Sequence, residues 1–192
     1  MSSNKWAKNV ILVDAVFLDK MGYIFRSNYE RLLKRDINKA DLAIWLESAM
    51  LDGGLRVGDN TVQVVVLFDE NAEGFDNFLP SDFNKELNGK GFKGPLGEFR
   101  LAAFPAFSKV VSLKSFFLQT LENILQAEEV ERLVVVGDNE ECGEEIADRL
   151  TKKPDKEVTI LTTAPIKGEG FKQDLLGYSL TRALGISPDE MQ

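Results

Sequence analysis

The sequence predicts a three-layer, doubly wound α/β fold around a mostly parallel five-stranded sheet. Short, almost wholly apolar runs recur along the chain, as in strands buried on both faces of a parallel sheet. Longer stretches with helical apolar spacing separate them, which calls for right-handed crossovers. Three of the runs end in or near a carboxylate, at the end of the sheet where such folds bind ligands.

The first predicted strand is Asn9 to Phe17, NVILVDAVF, with Asp14 inside it. A helix follows from about Leu18 to Lys34, with Met21, Ile24, Phe25, Leu32 and Leu33 on its apolar side. Asn38-Lys-Ala-Asp41 resembles a capping arrangement for a second helix carrying Leu42, Ile44, Trp45, Leu46 and Met50, and Gly53-Gly54 ends it. Thr61 to Asp69 is the second strand. The stretch from Glu70 to Gly97 is rich in Gly, Asn and Asp, so it reads as a lid or binding loop. Inside it, Ser81 is expected to cap a short helix that Asn88-Gly89 closes. Glu98 to Phe104 is the third strand, stopped by Pro105. Ser112 caps a helix to about Ala127, and Arg132 to Val136 is the fourth strand. Gly137-Asp138-Asn139 leads into a helix from Glu140 to Leu150. Glu157 to Thr162 is the fifth strand, Lys172 to Leu184 the last helix, and the SPDEMQ tail is expected to fray.

At 192 residues, with 44% hydrophobic and 28% charged content, the chain suits one domain spanning residues 1–192. No apolar run approaches the roughly 20 residues that span a bilayer, and the start, MSSNKWAKNV, has no signal-peptide pattern. Cys142 is the only cysteine, which fits a reducing compartment and a cytoplasmic protein. A net charge of −8 opposes nucleic-acid binding, and the basic pairs Lys34/Arg35, Lys90/Lys93 and Lys152/Lys153 form no stripe. The absence of His removes Ser-His and Cys-His nucleophiles and a His general base.

Any chemistry must therefore come from Asp, Glu, Lys, Tyr, Ser or the lone Cys. If the first and fourth strands are neighbours, Asp14 and Asp138 meet across the crevice where strand order reverses. Two close carboxylates call for a cation, so the pair is a candidate Mg or Mn site. An acid inside VILVDAVF is costly to bury without a partner, which favours a functional Asp14. Asp138 can equally be a helix cap, and Asp69 the opening of a loop. Cys142 sits near a helix start, but Glu140, Glu141, Glu144 and Glu145 around it favour an inert thiol. Asn88 to Gly94 is Gly-rich and basic, yet its Gly-Lys lacks a following Ser or Thr, so it reads as a loop rather than a phosphate cradle. Haloacid-dehalogenase, receiver and dinucleotide-binding patterns all lack defining residues here.

Three segments carry a family resemblance: VILVD, VSLKSFFLQTL and VVVGDNEE. Together they resemble the PIN/NYN superfamily of metal-dependent ribonuclease-like domains, and a bacterial family of uncharacterised proteins close to it. Asp14 and Asp138 match the superfamily pattern. Phe17 stands where it usually has Asn, Ser112 where it has Asp, and Leu118 or Gln119 where it has a second acid. The resemblance implies a metal at Asp14 and Asp138, with Glu140 and Ser112 assisting, and hydrolysis of single-stranded RNA by metal-bound water. The depleted acids, together with an aromatic-containing loop from Phe75 to Phe92 that could dock a partner, support the alternative, a catalytically inactive module that binds a protein partner or forms a homo-oligomer.

Overall fold

The computed structural model describes residues 5–152 and 155–192. Readings that fall on Met1–Asn4, the absence of a leader among them, or on Lys153 lie outside the described residues.

Six strands run parallel: β1 (Asn9–Asp14), β3 (Asn60–Asp69), β6 (Gly97–Ala106), β7 (Arg132–Val136), β8 (Glu157–Thr162) and β9 (Lys172–Leu175). With β5 (Gly91–Gly94), antiparallel to β6, they form a seven-stranded sheet in the order β5-β6-β3-β1-β7-β8-β9. Two short strands, β2 (Ala40–Asp41) and β4 (Phe78–Leu79), pair separately. The helices are α1 (Ala15–Leu33), α2 (Leu42–Asp52), α3 (Leu113–Gln126), α4 (Asn139–Thr151) and α5 (Leu176–Ala183).

The alternation of the strands explains their continuous apolar character. In β1, Ile11 and Val13 enter the core under α1, α2 and α5, while Val10 and Leu12 enter a second core under α3 and α4. β3 and β7 divide in the same way, with Val64, Val66, Val134 and Val136 on one side and Val65, Leu67, Leu133 and Val135 on the other. Among the described residues no helix is long and apolar enough to cross a membrane.

The sheet therefore has seven strands, not five, and each addition comes from pairing with an edge strand. β5 comes from the Gly-rich stretch read as a loop: Gly91 lies against the Phe99 carbonyl, too close for a Cβ, and Phe92 stacks on Phe99 at 4.7 Å. β9 comes from what reads as the first turn of the last helix, so α5 begins only at Leu176. At the other end of the chain the helix gains: Ala15-Val16-Phe17 belong to α1 rather than to the first strand. Pro105 does not stop β6, because it lies beyond β5, where β6 is a free edge and an N–H is not needed.

The aromatics of the segment after β3, offered by the sequence as a docking loop, are packed into the core. Phe75, Phe78 and Phe83 are buried, and Phe83 stacks on Phe68 at 4.3 Å. Its short helix is a π-turn over Phe83–Leu87, capped by Asp82 rather than Ser81. The C-terminal tail is held as well. Pro188–Met191 form a 3-10 turn, and Glu190 pairs with Arg35 at 2.7 Å.

Candidate functional site at the carboxyl end of the sheet

The chain moves outward from β1 to β3 and β6, then returns across the sheet to β7, which lies beside β1 with Val13 opposite Val136. The reversal of strand order falls between β1 and β7, and Asp14 and Asp138 follow directly on those two strand ends.

Three of the four predicted site residues, Asp14, Asp138 and Ser112, cap helices. Asp14 is the N-cap of α1, and its Oδ1 accepts the Phe17 N–H at 3.1 Å. Asp138 is the N-cap of α4, and its Oδ1 accepts the N–H groups of Glu140 at 3.1 Å and Glu141 at 3.0 Å. Ser112 caps α3, its Oγ accepting the Ser115 N–H at 3.1 Å, and it is exposed. Glu140 is exposed on the first turn of α4. Asp capping suits these positions because the first N–H groups of a helix have no partner within it.

Asp14 differs from the others in its burial, at 9% exposure. Desolvation raises its pKa to about 6, against the opposing pull of the Phe17 and Val16 N–H groups. The charges of Asp138 and Glu141 push it the same way. The fold thus brings Asp14 within reach of the field of Asp138, and the neighbouring acid that Asp14 feels is Glu141 rather than Glu140. The glutamate pair at the start of α4 was visible in the sequence, but the choice between its members depends on how the turn sits.

Cys142 closes this cluster. It is buried, its backbone leaves helical geometry (φ −133°, ψ 22°), and its thiol donates to the Asp138 carbonyl at 3.2 Å. Burial first, then Asp138, Asp14 and Glu145, push the thiol up to about 12, so of the four glutamates expected to act on it only Glu145 is among the causes. Asn139 ties the turn to the end of β8, accepting the Thr163 N–H at 3.2 Å.

These residues do not make a fitting set for Mg or Mn. Such ions take six or more oxygens in the coordination shell, mostly from carboxylates, carbonyls and water. Here one oxygen of each aspartate is already taken by backbone N–H groups, and among the described residues no group of three Asp, Glu or Cys side chains converges to hold a metal ion.

One residue that sequence reading missed shapes the neighbouring surface. Asp19, in α1, accepts the backbone N–H groups of Asp76 at 3.1 Å and Asn77 at 2.9 Å. It thereby fixes the far wall of a cleft of about 650 Å³ beside the ends of β1 and β3. It is half-buried in α1 and its bond partners lie 57 and 58 residues along the chain, so no local signal marks it. Asp69 lies in the same cleft and accepts the Asn71 N–H at 2.8 Å, the loop-opening role.

The molecule is thus an α/β protein with a mostly parallel sheet and a pair of capping carboxylates where strand order reverses. It belongs to a family of unknown function, DUF6621, whose profile matches residues 3–191. That description names no activity and no kinship with PIN or NYN domains. Comparison with curated proteins and with solved structures yields no match.

Proposed function

We propose that this chain is a catalytically inactive α/β module of PIN/NYN-like, doubly wound descent that works by binding another molecule. The observation that carries this reading is the use of Asp14, Asp138 and Ser112 as helix caps, each with a side-chain oxygen given to backbone N–H groups. Positions that would carry metal-binding acids in an active relative here start helices. The net charge of −8 adds to this, since an acidic protein meets RNA phosphates at an electrostatic disadvantage.

A second reading, a metal-dependent ribonuclease acting on single-stranded RNA, is favoured by one observation. The buried Asp14 feels both Asp138 and Glu141 at the point where strand order reverses.

One experiment separates the two readings. Thermal unfolding of the wild type and of Asp14→Asn is followed with and without Mn²⁺, alongside cleavage of a labelled single-stranded RNA. A ligand that binds the folded state at about 100 times its Kd adds about 2.7 kcal/mol of stability. The inactive module predicts no Mn²⁺-dependent shift and no cleavage. A shift and cleavage that both vanish in Asp14→Asn would establish the ribonuclease instead.

A further inference from the structure

A groove of about 460 Å³, lined by neither Asp14 nor Asp138, lies between α1 and α5 at the carboxyl ends of β8 and β9. Phe25, Tyr29, Leu175 and Tyr178 line it, together with the buried Thr162. An apolar concavity with a few polar groups at strand carboxyl ends is the usual form of a small-molecule site.

Charge narrows the class of ligand. The chain as a whole carries −8, yet among the described residues the one charged residue lining this groove is a cation, Arg182. Its side chain is 52% exposed and forms a long ion pair with Asp52, at 4.0 Å, which leaves guanidinium N–H donors for another acceptor. The Tyr29 and Thr181 hydroxyls, hydrogen-bonded to each other at 2.8 Å, add a polar edge to the same wall. Tyr178 is 58% exposed and offers an aromatic surface at the rim.

We infer that this groove binds a small aromatic carboxylate, its ring packed on the aromatic wall and its carboxylate paired with Arg182. The site is separate from the Asp14–Asp138 pair, and its test is independent of whether that pair is inactive. Calorimetric titration of the full chain with 2-naphthoate is expected to show saturable one-to-one binding. Arg182→Gln should weaken it about tenfold, the loss of a charge-assisted hydrogen bond. Tyr178→Ala should weaken it as well, and 2-naphthamide, which has the ring without the charge, should bind the wild type about tenfold more weakly and be indifferent to Arg182→Gln. Both side chains are exposed, and unchanged melting temperatures would show that the variants fold. Absence of saturable 2-naphthoate binding overturns the proposal, as does wild-type affinity in either variant. Equal affinity for the acid and the amide overturns the anionic class.

Discussion

Asp14 and Phe17 are joined by a hydrogen bond from the Phe17 N–H to the Asp14 carboxylate, 3.1 Å long and buried, at the first turn of α1. The apolar side chain of Phe17 goes into the core while its backbone satisfies the acid. The contact makes an acid at the end of a buried strand tolerable without a cation, and it sets the first prediction.

The Asp14 carboxyl has a folded pKa of about 6 against an ordinary 3.8, because burial disfavours its charge. A raised folded value means that the stabilisation is fully present below the unfolded pKa and is lost as pH rises through about 6. The difference corresponds to about 3 kcal/mol at most. Asn caps helices as well as Asp does and carries no charge. Asp14→Asn should therefore be more stable than the wild type by about 1–3 kcal/mol at pH 7.5 and lose that advantage near pH 4. Urea unfolding of both proteins across this range measures the difference. A wild type that is the more stable of the two at pH 7.5 would show that the Asp14 charge is favoured by a partner.

Asp19 holds the segment after β3 through the N–H groups of Asp76 and Asn77. Asp19→Ala leaves both donors without that acceptor and should cost about 1–3 kcal/mol. Hydrogen exchange should quicken at Asp76 and Asn77 while the amides of β1 and β7 keep their protection. Uniform loss of protection would mean that the contact supports the whole fold.

Lys156 is 7% exposed, and its ammonium donates to the carbonyls of Ala127 at 2.6 Å and Val130 at 2.8 Å, just past the C-terminus of α3. A cation there meets the negative end of the helix and its free carbonyls. Lys156→Met keeps the stem and removes the charge, so it should destabilise by about 2 kcal/mol in chemical denaturation. A neutral effect would show that water replaces the ammonium.

The Cys142 thiol, pushed up to about 12 chiefly by burial, should stay unreactive toward a disulfide reagent at pH 8 in the native protein. The same reagent should modify it rapidly in denaturant. Fast native labelling would reveal opening of the α4 start, where its backbone departs from helical geometry.

What could be read from the sequence was whatever local physics sets. β7 and β8 matched their expected bounds because each is an apolar run between polar boundaries. Ser112 and the start of α3 were legible because a helix-capping side chain acts within three residues. By contrast, Lys172–Leu175 has no apolar run, and it becomes a strand only because β8 presents a free edge to it. The Gly-rich stretch hid β5 for a similar reason, since its pairing depends on how closely β6 can approach.

The aspartate pair shows the same division. By itself the sequence determined that acids follow the first and fourth of its buried runs, and that a mostly parallel α/β sheet carries them, because burial on both faces leaves a continuous apolar signature. Only the tertiary structure placed β1 beside β7, chose Glu141 over Glu140 as the acid that Asp14 feels, and gathered Phe25, Leu175, Tyr178 and Arg182 around one groove. Those relations join residues more than a hundred positions apart, and no local preference encodes which of many chain crossings will bring them together.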